Sequence, residues 1–268
     1  MTNQSKTEKK QHLFLMLSGI FLTNALLAEM VGVKIFSAEK LLRLPHANIE
    51  ILGFLLDFNL TAGVVLWPVV FLSTDIINEY FGKEGIKKIS LMTAGFIAFS
   101  FVIIYLITLL PPAQFWLKIN DQDNLGNNFN IDYAFTKIFT QGLGIIVGSL
   151  TAFLLGQFLD VFIFQKLRRL TGSKMIWLRA TGSTLISQLI DSFVVLSIAF
   201  YFLAPEENRW PISQVLAVGS INYIFKFIIA LLSTPIIYFG HYLIENYLGH
   251  ELSQEMSNEA AQKSNSFF

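Results

Sequence analysis

Cysteine is absent from all 268 residues, which excludes disulfides, thiolate metal sites and cysteine nucleophiles. Charge is scarce: Asp, Glu, Lys and Arg make up 14% of the chain, against about 25% in an average soluble domain. The 19 basic residues balance the 19 acidic ones, so no overall field recommends nucleic acid as a partner. Histidine is rare too, and His12, His46, His241 and His250 lack the spacing of metal ligands. The chain carries no Walker loop, Rossmann fingerprint or nucleophile elbow. No metal or cofactor is therefore expected, and the chain by itself is not a primary pump.

What it has in excess is apolar sequence. Hydrophobic residues make up 53%, Phe alone numbers 26 and mean hydropathy is +0.55. That composition identifies an integral membrane protein, expected to be an all-α bundle. A helix needs about 20 apolar residues to cross a bilayer, and six runs qualify: 13–36, 51–77, 89–110, 138–164, 179–202 and 212–239. No small-residue cleavage site follows the basic start, so the first run is expected to remain a span. The second is irregular, interrupted by Asp57 and Asn59, and Pro68 inside it predicts a bent or broken helix.

Residues 13–247 read as a single six-helix membrane domain, preceded by a polar tail over 1–12 and followed by a polar tail over 248–268 that is expected to be disordered. Basic residues gather on one side of the predicted spans (Lys6, Lys9, Lys10, Lys83, Lys87, Lys88, Arg168, Arg169), placing both termini in the cytoplasm.

Against this background the polar residues inside spans stand out, because an ionisable group at bilayer depth costs about 2.5–3.5 kcal/mol on insertion scales and faces a bundle interior or a water-filled cavity. Gln157-Phe-Leu-Asp160 in the fourth span and Gln188-Leu-Ile-Asp191 in the fifth repeat one arrangement. Residues three apart share a helix face, so each copy aims an amide and a carboxylate the same way. Gly144, Gly148, Ala152 and Gly156 form a ridge of small residues that lets helix backbones approach closely, and Asp160 takes its next step. Asn24, Asn222 and Lys226 fall near the same depth, the level at which secondary transporters place their substrate. Asp75, Asn78 and Glu79 share one helix face near the inner boundary. They read as an inner gate or coupling group, or else as an interfacial network against the Lys83–Lys88 segment.

The aspartates admit several roles. They can receive a flat polar ligand, with the glutamines supplying donor and acceptor, or one can simply pair with Lys226 to hold helices together. A proton-sharing protease dyad is a third role, though the Gly-x-Gly-Asp context of intramembrane proteases is missing. Lys226 itself can be a counter-ion, a ligand donor or a gating partner. Trp67, Phe71, Tyr223 and Phe225 are candidates to stack on a ring.

Pro68-Val-Val-Phe71-Leu-Ser-Thr-Asp75-Ile-Ile-Asn78-Glu79-Tyr-Phe-Gly82-Lys83 resembles a signature of the queuosine precursor transporter family, also grouped with vitamin uptake transporters. So do Gly182-Ser183-Thr184-Leu-Ile-Ser187-Gln188-Leu-Ile-Asp191-Ser192, Gln157 to Asp160, and Asn222-Tyr-Ile-Phe-Lys226. Lys87-Lys88 departs from the Ala-Arg often found there. The resemblance implies a multi-pass importer in the bacterial cytoplasmic (inner) membrane, carrying 7-cyano- or 7-aminomethyl-7-deazaguanine for salvage, and not an enzyme. With such a ligand, Asp191 or Asp160 is expected to bind the guanine edge, Gln157, Gln188, Asn222 and Lys226 to complete the polar shell, and Asn24 to lie beside them. Two other readings stay open: a substrate-binding subunit that needs an external ATPase, and an intramembrane aspartyl hydrolase. A homodimer is compatible with the sequence.

Overall fold

The computed structural model describes residues 3–140, 142–171 and 175–265. Helix α1 spans Asn3–Val31. The chain then forms a small cap at the end of the bundle away from the termini: strand β1 (Ile35–Ser37), helix α2 (Ala38–Leu42), and strands β2 (Ile49–Ile51), β3 (Phe54–Leu56) and β4 (Asn59–Thr61). β1 pairs antiparallel with β4, and β2 with β3. The long helices α3 (Trp67–Thr108), α6 (Leu143–Thr171), α7 (Ile176–Leu196) and α8 (Ile212–Leu248) follow, with short helices α4 (Gln114–Ile119) and α5 (Ile131–Phe139) between α3 and α6, and α9 (His250–Asn265) last. Helix α7 runs on into a wider π-turn over Ser197–Phe202.

Among the described residues, five helical stretches are long and apolar enough to cross a membrane. Their polarity is inverted relative to a soluble protein. Phe99, Val102 and Leu106 of α3 and Leu232 and Phe239 of α8 are exposed, while Asp75, Asn78, Glu79, Gln157, Asp160 and Arg179 are buried. So much exposed apolar surface suits lipid, where association between helices depends on close packing and hydrogen bonds.

Several expectations need correction. Residues 51–56 do not begin a span. Leu52 and Gly53 both have positive φ (52° and 84°), the backbone of a tight two-residue hairpin turn, and the flanking triplets become β2 and β3 because six apolar residues are too few to cross a bilayer. Pro68 bends nothing, because it sits in the first turn of α3, where its missing N–H would have had no helical partner anyway. The break in α3 lies at Gly82, with φ 68° and ψ −169°, a conformation essentially reserved for glycine. At 42 residues a straight α3 would measure about 63 Å, twice the hydrocarbon thickness. Its first segment lies along α1: Gly63, just before the helix, has the Ala28 backbone as neighbour, and at the segment's far end the Phe81 ring is 4.9 Å from that of Phe14. We expect Gly82→Ala to cost about 1–3 kcal/mol, read as a lower unfolding temperature in detergent; an unchanged temperature would show that the turn can be made another way.

The tail expected to be disordered is helical as α9. Leu252, Met256 and Ala260 are buried against the bundle, and Ala260 lies against Gly82. Lys6 and Lys10 of α1 reach Glu255 at 2.9 and 3.1 Å, so both ends of the described chain share one face. The apolar spacing Leu252, Met256, Ala260 supplies the docking stripe, which the polar average of the segment conceals.

Candidate functional site

The site forms where α6 and α7 pack antiparallel. The small-residue ridge works as expected: a side chain at Gly148 would meet the Val195 carbonyl at 3.0 Å, and one at Gly144 the Ala199 carbonyl at 3.2 Å. This close approach sets the two Gln-x-x-Asp copies opposite each other. Asp160 faces α7, where its Oδ1 accepts from Ser183 at 2.8 Å and from Thr184 and Ser187 at 3.4 Å each. Its Oδ2 is buried and receives no hydrogen bond. Asp191 takes the counter-ion reading: Lys226 of α8 donates to its Oδ2.

Gln157, Asp160, Gln188 and Asp191 line one narrow slot together with Trp67, Phe71 and Thr74. The Trp67 and Phe71 rings stack at 5.7 Å with planes 21° apart, and the Thr74 hydroxyl donates to Gln157 at 3.4 Å. The volume open to a water's centre is only about 10 Å³, roughly one water. Above it, at the end of the bundle away from the termini, lies a cavity of about 630 Å³, within the range of small-molecule sites. Asn222, Lys226, Asp191, Glu29 and Phe225 line it, and it shares Trp67, Phe153 and Asp191 with the slot.

The remaining candidates divide. Asn24 lines neither space, and its amide donates to the Ile20 carbonyl of its own helix at 2.8 Å. Tyr223 lines neither, whereas Trp67 lines both. Asn78 and Glu79 belong to a second, buried polar network on the termini side. Arg179 donates to both Glu79 carboxylate oxygens at 2.9 Å, Ser257 of α9 donates to Glu79 at 2.7 Å, and Arg168 approaches Glu79 at 3.4 Å. Gln165 donates to Asn78 at 2.6 Å. Four elements, α3, α6, α7 and α9, are thereby tied under the slot. The partners are thus helix residues of the bundle.

Arg168 counted above only as a basic residue beside the spans, and residue order drew no attention to Arg179 or Glu29. A signal was available for the arginines: a buried Glu79 must be paired, and arginine forms the bidentate pairs that carboxylates accept best.

Polar groups gathered inside an apolar helical shell, beside a cavity of small-molecule size, define a multi-pass membrane protein. Neither aspartate resembles half of a hydrolytic dyad, since one is held by three hydroxyls and the other by a lysine. The chain belongs to the family described as "Putative vitamin uptake transporter", whose family model matches residues 61–240, and this is a transporter family, not an enzyme family. It is 30% identical over 204 residues to the "Probable queuosine precursor transporter" of Bacillus subtilis, covering 75% of this chain and 80% of that one. A Haemophilus influenzae protein of the same description is 30% identical over 66% of each chain. The "Queuosine precursor transporter" of Escherichia coli is 28% identical over 74% of this chain and 76% of that one. No solved structure matches.

Proposed function

We propose that this chain imports a 7-deazaguanine precursor of queuosine, 7-cyano- or 7-aminomethyl-7-deazaguanine, across the bacterial cytoplasmic membrane. The observation that carries the proposal is the buried Asp160, with one oxygen fully engaged and the other free beside two glutamine amides and a stacked pair of rings. A deazaguanine presents N1–H and an exocyclic amine, which suit the free carboxylate oxygen. Its carbonyl suits a glutamine amide, and its flat face suits Trp67 or Phe71. The relatives' descriptions agree with this chemistry.

The large cavity serves as the antechamber, with Asn222 and the Lys226–Asp191 pair at its floor. The slot beneath it is closed and opens by movement of Trp67 or of α7. The Glu79 network is the inner gate. In this reading α3 crosses twice, turning at Gly82, which gives six crossings. Both termini are cytoplasmic, supported by the shared face of α1 and α9 and by the lysines gathered there.

The test is uptake of labelled 7-cyano-7-deazaguanine, 7-aminomethyl-7-deazaguanine and guanine by cells without their own precursor synthesis or uptake. The expected result is accumulation of at least one deazaguanine well above vector-only cells. No accumulation of either by cells with the protein in the membrane would reject the proposal. Uptake that appears only when an ATPase is supplied would make the chain a subunit of a larger system.

A further inference from the structure

Between the ligand slot and the inner gate sits Asp75, which neither structure uses. It follows Thr74, which lines the slot, and precedes Glu79 by one helical turn. Asp75 is 2% exposed, and its Oδ1 receives no hydrogen bond. Asp160 on α6, itself 4% exposed and with Oδ2 free, is near enough for the two carboxyl groups to feel each other's charge.

The other charged groups facing Asp75 are Glu79 from its own helix and Arg179 from α7. Beyond them, Arg168 of α6 and His241 of α8 face Glu79. Helix α9 contributes the Ser257 hydroxyl, its Glu255 being turned to Lys6 and Lys10. Both guanidinium groups are engaged with Glu79, that of Arg179 through one terminal nitrogen to both carboxylate oxygens. Two further acids, both buried, therefore lie within reach of each other's field. Two ionised carboxylates repel strongly when buried, and a proton on one of them removes the repulsion.

Resting on the assignment of Asp160 to the ligand, we propose that Asp75 carries the proton that drives uptake. A proton arriving through the outer cavity forms an O–H bond at Asp75. Asp160 then holds its negative charge alone and accepts the ligand's two N–H groups. When the Glu79 network parts, inner water takes the proton from Asp75, the O–H bond breaks, and the renewed charge beside Asp160 expels the ligand inward. Proton and ligand each raise the other's affinity, as linkage requires. The ligand itself is not altered.

The experiment uses the full chain in liposomes with 7-cyano-7-deazaguanine, which lacks the amine of the aminomethyl form. An acid-outside gradient should drive accumulation by the wild type, and added ligand should acidify the lumen as seen by a trapped pH dye. Above the coupling range the wild-type Kd should rise by up to about tenfold per pH unit for one linked proton. Asp75→Asn should bind with a Kd that no longer changes with pH and should lose gradient-driven accumulation, and Asp75→Glu should recover it. Wild-type transport without lumen acidification, or Asp75→Asn accumulating ligand down the gradient like the wild type, would overturn the assignment. The dye measurement needs no variant, so its failure would overturn the assignment even where Asp75→Asn does not fold, and Asp75→Glu then tests the residue itself. Absence of wild-type binding at every pH would instead overturn the ligand reading, and this inference with it.

Discussion

Asp160→Ala should weaken ligand binding by orders of magnitude while leaving a folded protein. The lost acceptor takes two N–H bonds in the proposed complex, and hydrogen bonds to a charged group contribute about 1.5–3 kcal/mol each. Binding should weaken by about 10²–10⁴-fold, and equilibrium binding of labelled ligand to detergent-solubilised protein would measure it. Folding should survive because two of the three hydroxyls that face Asp160 have other acceptors. Ser183 donates to the Ala180 carbonyl at 3.1 Å, and Ser187 to the Thr184 carbonyl at 3.0 Å. Asn24→Ala is the matching control, since its amide bonds within its own helix, and it should transport like the wild type. A monodisperse Asp160→Ala protein that binds as tightly as the wild type would remove the carboxylate from the site.

The second large effect concerns stability. Glu79→Ala leaves Arg179, 1% exposed, without the two carboxylate oxygens it bridges. It also takes from Arg168 its charged partner and from Ser257 its acceptor. Removing one member of a buried pair costs about 3–5 kcal/mol, because the surviving charge stays buried. The expected result is a large drop in unfolding temperature, or loss of the monodisperse peak on size exclusion. Glu79→Ala combined with Arg179→Met should recover part of that loss by removing the stranded charge. A single variant as stable as the wild type would show that water reaches Arg179, and the inner network could not then be the gate.

The two aspartates show how far local pattern reaches. Their depth, their shared spacing from Gln157 and Gln188 and the glycine ridge beside them are properties of single helices, and helical periodicity makes these legible from residue order alone. Their division of labour is not local. Asp191 became the partner of Lys226, 35 residues away, and Asp160 the partner of three hydroxyls. That choice depends on the rotation of α7 between α6 and α8.

The break in α3 makes the same point. Proline predicts a kink only inside a helix, and Pro68 falls in a first turn because the chain before it packs on Ala28 of α1. Gly82 in turn bends where Ala260 of α9 closes on it. Helix α9 has a polar average, and its apolar stripe acquires meaning only beside the bundle that covers it.

By itself, then, the order of residues determined the solvent this chain lives in, most of its long helices and the burial of Gln157, Asp160 and Gln188. Those follow from transfer free energies and helical period, which act over a few residues. The tertiary structure alone decided which acid pairs with a lysine and which keeps an oxygen without a partner, where α3 turns, and that α9 packs on the termini side of the bundle. Such outcomes depend on contacts between segments distant in the chain, and pairing a buried charge is a property of its three-dimensional neighbours.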